Sequence, residues 1–198
     1  LGDWERFAHE DVDVPLLIQN ALLHSQFETL HPFLDGNGRL GRLLIVFSLV
    51  ERGRLSAPLL YVSSYLERDE RYYEALQTMR QTGDPIPWFE LFLEAVKSQA
   101  TDAVARAQRI VDLRERYRTA ASAIPSSNGM ALVDLVCERP IVSSRAVEER
   151  LGVTRPTALK LLRQLEAVGV LTEANAGPRG QRRYVARELM SAVTDDVT

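Results

Sequence analysis

His31-Pro32-Phe33-Leu34-Asp35-Gly36-Asn37-Gly38-Arg39-Leu40-Gly41-Arg42 is the stretch from which the rest of the chain is best read. It joins two apolar helical patterns. Upstream, Leu16, Leu17, Ile18, Ala21, Leu22 and Phe27 recur at helical spacing between Pro15 and Leu30. His31-Pro32 is expected to end that helix, because a residue before proline is pushed towards extended geometry. Downstream, a helix from about Arg39 to Arg52 is apolar almost all round from Leu43 to Val50 and stops at Gly53. That pattern predicts the central, buried helix of an all-α domain.

The residues between the helices are suited to holding a phosphate chain. Gly36 and Gly38 flank Asn37, so the backbone can turn with positive φ and point successive N–H groups inward. The loop runs straight into a helix N-terminus, whose free donors and dipole favour an anion. Arg39 and Arg42 lie three apart, on one helical face, and helical side chains lean back towards the N-terminus. Both guanidinium groups are therefore expected over the loop. Asp35 is placed to hold a magnesium ion that bridges phosphate oxygens, and His31 to take a proton from an incoming hydroxyl.

Each feature alone has a plainer reading. A histidine before proline is usually a helix-end residue, Gly-Asn-Gly is usually a turn, and arginines three apart usually face solvent. Their conjunction in fixed order carries the argument. Neither a Walker A lysine motif nor G-x-G-x-x-G occurs in the chain, so the common nucleotide loops do not explain it.

In this conjunction His31 to Arg42 resembles the signature of Fic (filamentation induced by cAMP) proteins, H-x-F-x-D/E-G-N-G-R-x-x-R, with every fixed position filled. The flanking helices are similar to that family as well, and a looser likeness continues through Tyr72-Tyr73 to about Arg118. The resemblance implies a nucleotidyl transferase that moves AMP from ATP onto a serine, threonine or tyrosine hydroxyl of a target protein. It implies His31 as general base and Asp35 as magnesium ligand. The nucleotide site would comprise Asp35, Gly36, Asn37, Gly38, Arg39, Leu40, Gly41 and Arg42. Phe33 would anchor the loop in the core. Tyr72 and Tyr73 match a pair that lines the adenine pocket in relatives, and equally fit core aromatics. Where some relatives carry an adenine-contacting asparagine, this chain has Arg80 and Gln81. Other nucleotides, or the reverse reaction, stay open, and a homodimer is implied by the resemblance alone.

Two elements of the family are not found. Nothing between Leu1 and Asp13 reads as the hairpin flap that holds a target by strand addition. The inhibitory pattern, Ser or Thr followed four residues later by Glu and then by Gly or Asn, is also missing. Missing upstream sequence is the simplest explanation. His24 lies seven residues before His31; a His24, His31, Asp35 metal site would consume the base, so a packed helix histidine is expected. His9 has no evident role.

Further helical patterns cover Pro58 to Tyr65, Asp69 to Arg80 and Trp88 to about Ala121. The core is expected over 1–123 and a Pro/Ser/Gly-rich linker over 124–129. Over 130–198 the order changes: helix Met130 to Cys137, helix Ser143 to Leu151, a Gly152-Val153-Thr154 turn, and helix Arg155 to Val168 with Thr154 as N-cap. Two strand patterns follow, Val170 to Glu173 and Gln181 to Val185. That order is a small α+β winged helix-turn-helix domain. Ala158, Leu161, Leu162, Leu165 and Val168 are expected inside. Arg155, Thr157, Lys160, Arg163 and Gln164 remain on the outer face, where a recognition helix meets bases and phosphates. Arg179, Arg182 and Arg183 lie on or beside the wing, within reach of the backbone of double-stranded DNA. A protein-interaction role is the alternative for this module. For the whole chain, the second reading is a transcription regulator whose core only senses ATP.

With 24 Lys and Arg against 27 Asp and Glu, net charge −3, the chain as a whole is not a polyanion binder. Between Arg155 and Arg187 seven basic residues stand against only Glu166 and Glu173, so this end is locally basic and nucleic acid is considered there. The longest apolar run, Leu43 to Val50, is far below the roughly twenty residues of a membrane span. The single cysteine, Cys137, permits no internal disulfide and reads as a buried structural thiol. A cytoplasmic location fits these features.

Overall fold

Helical patterning dominates the chain, and the fold is correspondingly mainly α. The structure is a computed structural model that describes residues 1–124, 128–174 and 182–194. It divides into two compact units, Leu1–Ala103 and Val104–Thr198.

The first unit is all-helical: α1 (Gly2–His9), α2 (Leu16–Leu30), α3 (Asn37–Glu51), α4 (Val62–Leu66), α5 (Arg71–Thr82) and the start of α6 (Ile86–Ala121). Its core gathers Ala21 of α2, Ile45 and Leu49 of α3, Leu66 of α4, Tyr72 and Leu76 of α5, and Trp88 and Phe92 of α6. Full burial of such side chains stabilises by roughly 1.5–3 kcal/mol each. Gly41 sets how closely α2 and α3 approach. A Cβ there would stand 3.1 Å from the His24 ring and 3.2 Å from Phe27. Helix α1 buries no residue of its own and is tied down by hydrogen bonds. Trp4 Nε1 donates to the Leu23 carbonyl at 2.8 Å, and Gln19 Nε2 donates to the Phe7 carbonyl at 2.7 Å.

The second unit combines the rest of α6 with α7 (Asn128–Glu138), β1 (Ile141–Ser143), α8 (Ser144–Leu151), α9 (Arg155–Ala167), β2 (Thr172–Ala174), β3 (Arg183–Val185) and α10 (Arg187–Thr194). The strands form one antiparallel sheet in the order β1-β3-β2, with Val142 opposite Tyr184 and Thr172 opposite Val185. Leu132, Val136, Val147, Leu161, Leu162, Leu165 and Leu189 fill the space between sheet and helices.

Several expectations need correction. The core's boundary was expected at residue 123, but the division falls inside α6, because Leu113, Tyr117 and Ala121 contribute to the second unit's core. Of the expected linker 124–129, Ile124 is buried in that core and Asn128 and Gly129 open α7; residues 125–127 lie outside the described residues. Helix α4 begins four residues later than its pattern suggested, at Val62. Leu43 and Phe47 are exposed, so α3 has a solvent-facing stripe continuing from Arg39 rather than burial all round. Val168 caps α9 and is more than a third exposed. The strand β1 and the terminal helices α1 and α10 were not expected from the sequence.

Candidate active site

The loop closes on its own asparagine. Asn37, 2% exposed, accepts a hydrogen bond from the Phe33 N–H at 2.9 Å and donates one to the Phe33 carbonyl at 2.6 Å. One buried amide thus satisfies both main-chain polar groups of one loop residue. This latch places Asn37 inside the fold, with its backbone rather than its side chain left to face a ligand. Phe33 does not anchor the loop through its ring, which is 51% exposed. Its main chain is the anchored part.

His31 ends α2 in the left-handed region, φ 45° and ψ 56°, with its N–H donating to the Phe27 carbonyl at 3.0 Å. It is the one described non-glycine residue with positive φ. The helix therefore ends in a left-handed cap rather than in the extended geometry that Pro32 suggested. For an L-residue this conformation costs roughly 1–2 kcal/mol. It leaves the imidazole exposed at the loop.

Gly36, at φ 81°, is the N-cap of α3, and no side chain caps that helix start. Because α3 begins at Asn37, two residues earlier than the pattern suggested, Asn37, Gly38 and Arg39 form its first turn and lack helical acceptors for their N–H groups. The Leu40 N–H is already bonded to the Gly36 carbonyl at 3.0 Å, and Gly41 is covered by His24 and Phe27. These two belong to the helix and its packing rather than to the cradle. Asp35 accepts from the Gly36 N–H at 2.7 Å and faces Arg39 at 3.7 Å, both side chains being largely in solvent. No cluster of three or more potential metal-ligating side chains exists among the described residues. Asp35 therefore fits a magnesium ion only if phosphate oxygens and water complete the shell, which is the usual manner for this ion.

The two arginines part company. Arg39 stays at the loop mouth. Arg42 is 5% exposed, with Nε donating to Ser63 Oγ at 3.1 Å and Nη2 paired with Glu67 at the end of α4. Three residues along α3 rotate its side chain from the solvent stripe to the inner face, so shared reach over the loop is not what the fold provides. Ser63 and Glu67 carried no signal in sequence, since only tertiary packing brings α4 beneath α3. Glu28 is likewise new to the site. It sits one turn before His31, and its position was readable from helical spacing, although its partners were not.

Tyr72 is a core aromatic. It is 1% exposed, its hydroxyl lies 2.7 Å from His24 Nε2, and its ring meets those of His24, Tyr73 and Trp88. Burial pushes its hydroxyl pKa well above the ordinary value. Tyr73 is 75% exposed and is the member of the pair available to a ligand. His24 is stacked on Trp88, and burial lowers its pKa to about 4. The packed role expected for it holds. His9 pairs with Glu51 at 3.1 Å.

In the second unit α9 presents Arg155, Thr157, Lys160 and Arg163 to solvent while Ala158, Leu161, Leu162 and Leu165 are buried. Thr154 occupies the N-cap position without a side-chain cap bond; its hydroxyl instead lies 3.0 Å from that of Thr157. Arg182 pairs with Glu173 across the hairpin at 3.3 Å, and Arg183 is exposed on β3. Arg179 lies outside the described residues. Cys137 is partly buried, and desolvation raises its thiol pKa. No described helix is long and apolar enough to cross a membrane.

Comparison with known proteins follows the same division. Residues 1–49 match the Fic/DOC family, and residues 130–173 match a family described as an HTH DNA binding domain. Over 61 residues the chain is 38% identical to a protein of Aquifex aeolicus (strain VF5) named a probable protein adenylyltransferase. That match covers 29% of this chain and 19% of the relative. A crystal structure of a Fic family protein from Desulfovibrio desulfuricans G20 aligns with TM-score 0.49 and 25% identity, covering 93% of this chain and 53% of that one. The chain thus spans about a fifth of the curated relative and about half of the solved one. The stretch that carries the complete motif is thus similar to the Fic/DOC family over residues 1–49, and residues 130–173 are similar to an HTH DNA binding domain.

Proposed function

We propose that the N-terminal unit transfers AMP from ATP to a serine, threonine or tyrosine hydroxyl of a target protein, and that the C-terminal unit binds double-stranded DNA. The observation that carries the first part is the placement of an exposed imidazole, His31, beside the uncapped start of α3. The α- and β-phosphates rest on the N–H groups of the first turn, from Asn37 to Arg39, with Gly36 giving the turn its shape. Arg39 neutralises charge at the mouth, and Tyr73 offers a ring to the base. Asp35 would hold a magnesium ion, which would offset charge on the phosphate oxygens. His31 takes the proton of the target hydroxyl; that oxygen bonds to the α-phosphorus, the bond to the bridging oxygen breaks, and pyrophosphate leaves.

A pure sensor of ATP needs the cradle but has no use for a base, which is why transfer is the preferred reading. The sensor reading draws on Arg42, whose engagement by Ser63 and Glu67 leaves Arg39 as the exposed arginine of the motif. Label transfer from ATP radiolabelled at the α-phosphorus, in lysate with magnesium, separates the two. A labelled protein band that vanishes with His31→Ala is expected. Normal ATP binding with no band would replace the transferase by the sensor.

A further inference from the structure

Beneath the loop, Glu28 occupies a place that the transfer chemistry does not use. Its Oε1 is buried without a hydrogen-bond partner. A Cβ on Gly38 would lie 3.5 Å from that oxygen and 3.0 Å from Arg42 Nη1, so carboxylate and guanidinium converge directly under the second glycine of the loop. Arg42 turns Nε and Nη2 to Ser63 and Glu67, and no hydrogen bond joins its Nη1 to this oxygen. The other charged or titratable groups acting on Glu28 are His31 at the end of its own helix and Arg80 and Tyr72 of α5. Burial raises the carboxyl pKa, and the attraction of Arg42, His31 and Arg80 opposes this. An anion held by the N–H groups above Gly38 adds a like charge close to the carboxylate, and a carboxyl in that position relieves the repulsion by taking a proton.

We propose that Glu28 is a further residue of this anion site, one that couples occupancy of the loop by a phosphate chain to uptake of a proton from solution. The inference rests on the reading above that the loop binds phosphates. Its sign is set by linkage: the group holds its proton more tightly with the loop filled than empty, so filling becomes easier as pH falls.

Calorimetric titration of magnesium ATP into the protein, near about pH 6.5 in two buffers of different ionisation enthalpy, counts the protons taken up per nucleotide. Net uptake of up to about one proton is expected in the wild type and in His31→Ala, and none in Glu28→Gln. Equal uptake in wild type and Glu28→Gln would overturn the proposal, and loss of uptake in His31→Ala would assign the proton to His31 instead. Absence of binding heat in all three folded proteins would overturn the phosphate reading of the loop and this inference with it. Should Glu28→Gln fail to fold, the pH dependence of affinity in His31→Ala decides: a rise on the order of threefold or more from about pH 7.5 to about pH 6 is expected. A flat profile would sink the coupling.

Discussion

The side-chain amide of Asn37 grips the main chain of Phe33 at both ends, N–H to Oδ1 at 2.9 Å and Nδ2 to carbonyl at 2.6 Å. The shape of the loop therefore depends on a buried side chain inside it. Asn37→Ala leaves two loop polar groups without partners, which predicts a loss of about 1–3 kcal/mol and weaker ATP binding. Asn37→Asp keeps the acceptor but removes the donor and is expected to fall between. Thermal melts paired with nucleotide titration check both; unchanged affinity in Asn37→Ala would show the latch to be dispensable.

His31 joins function to strain. Its left-handed backbone suits glycine better than any L-residue. His31→Gly is predicted to leave stability unchanged or raise it by up to about 1 kcal/mol. The same change should lower the transfer rate about 10²–10⁴-fold if the imidazole is the base. A rise in melting temperature together with lost turnover is the expected pair of results; near-normal turnover would remove His31 from the role.

Buried neutral His24 predicts how the first unit responds to acid. Its folded pKa, about 4, lies below the ordinary histidine value of 6.5, so the unfolded chain binds the proton more readily. The contribution is complete above about pH 6.5 and is lost as pH falls towards about 4, on the order of 2–4 kcal/mol in all. His24→Gln should flatten that part of the stability profile in denaturant titrations. A wild-type profile with no slope in this window would mean that the proton finds His24 in the folded state.

Gly41 lies where α3 crosses α2, and Gly41→Ala sets a methyl group 3.1 Å from the His24 ring. Overpacking there predicts a loss of about 1–3 kcal/mol, although alanine is the better helix former. A stabilised variant, read by chemical denaturation, would show that the interface has room to yield.

For the second unit, Lys160→Ala and Arg163→Ala on the exposed face of α9 are expected to weaken duplex binding. Each should reduce the slope of log affinity against log salt by about one if it contacts phosphate. Fluorescence anisotropy over a salt series is the measurement. Duplex binding undetectable at low salt would return the domain to a protein-interaction role.

From sequence by itself came the long periodic helices, the glycine loop between α2 and α3, and the change to helix-turn-helix order after the core. Those features are local: a repeat of 3.6 residues, a glycine that must adopt positive φ at Gly36, and a fixed order of chemical groups survive without knowledge of what packs where. Tertiary structure decided the remainder. It buried Arg42 beneath the loop against Ser63 and Glu67, because α4 presents its partners to the inner face of α3. It sent Tyr72 into the core and left Tyr73 outside, because adjacent helical positions differ by about 100° of rotation. It gave the second half of α6 to the helix-turn-helix core, a choice that an evenly charged, alanine-rich helix does not reveal. Burial and pairing depend on residues distant in the chain, and those are the relations that periodicity cannot encode.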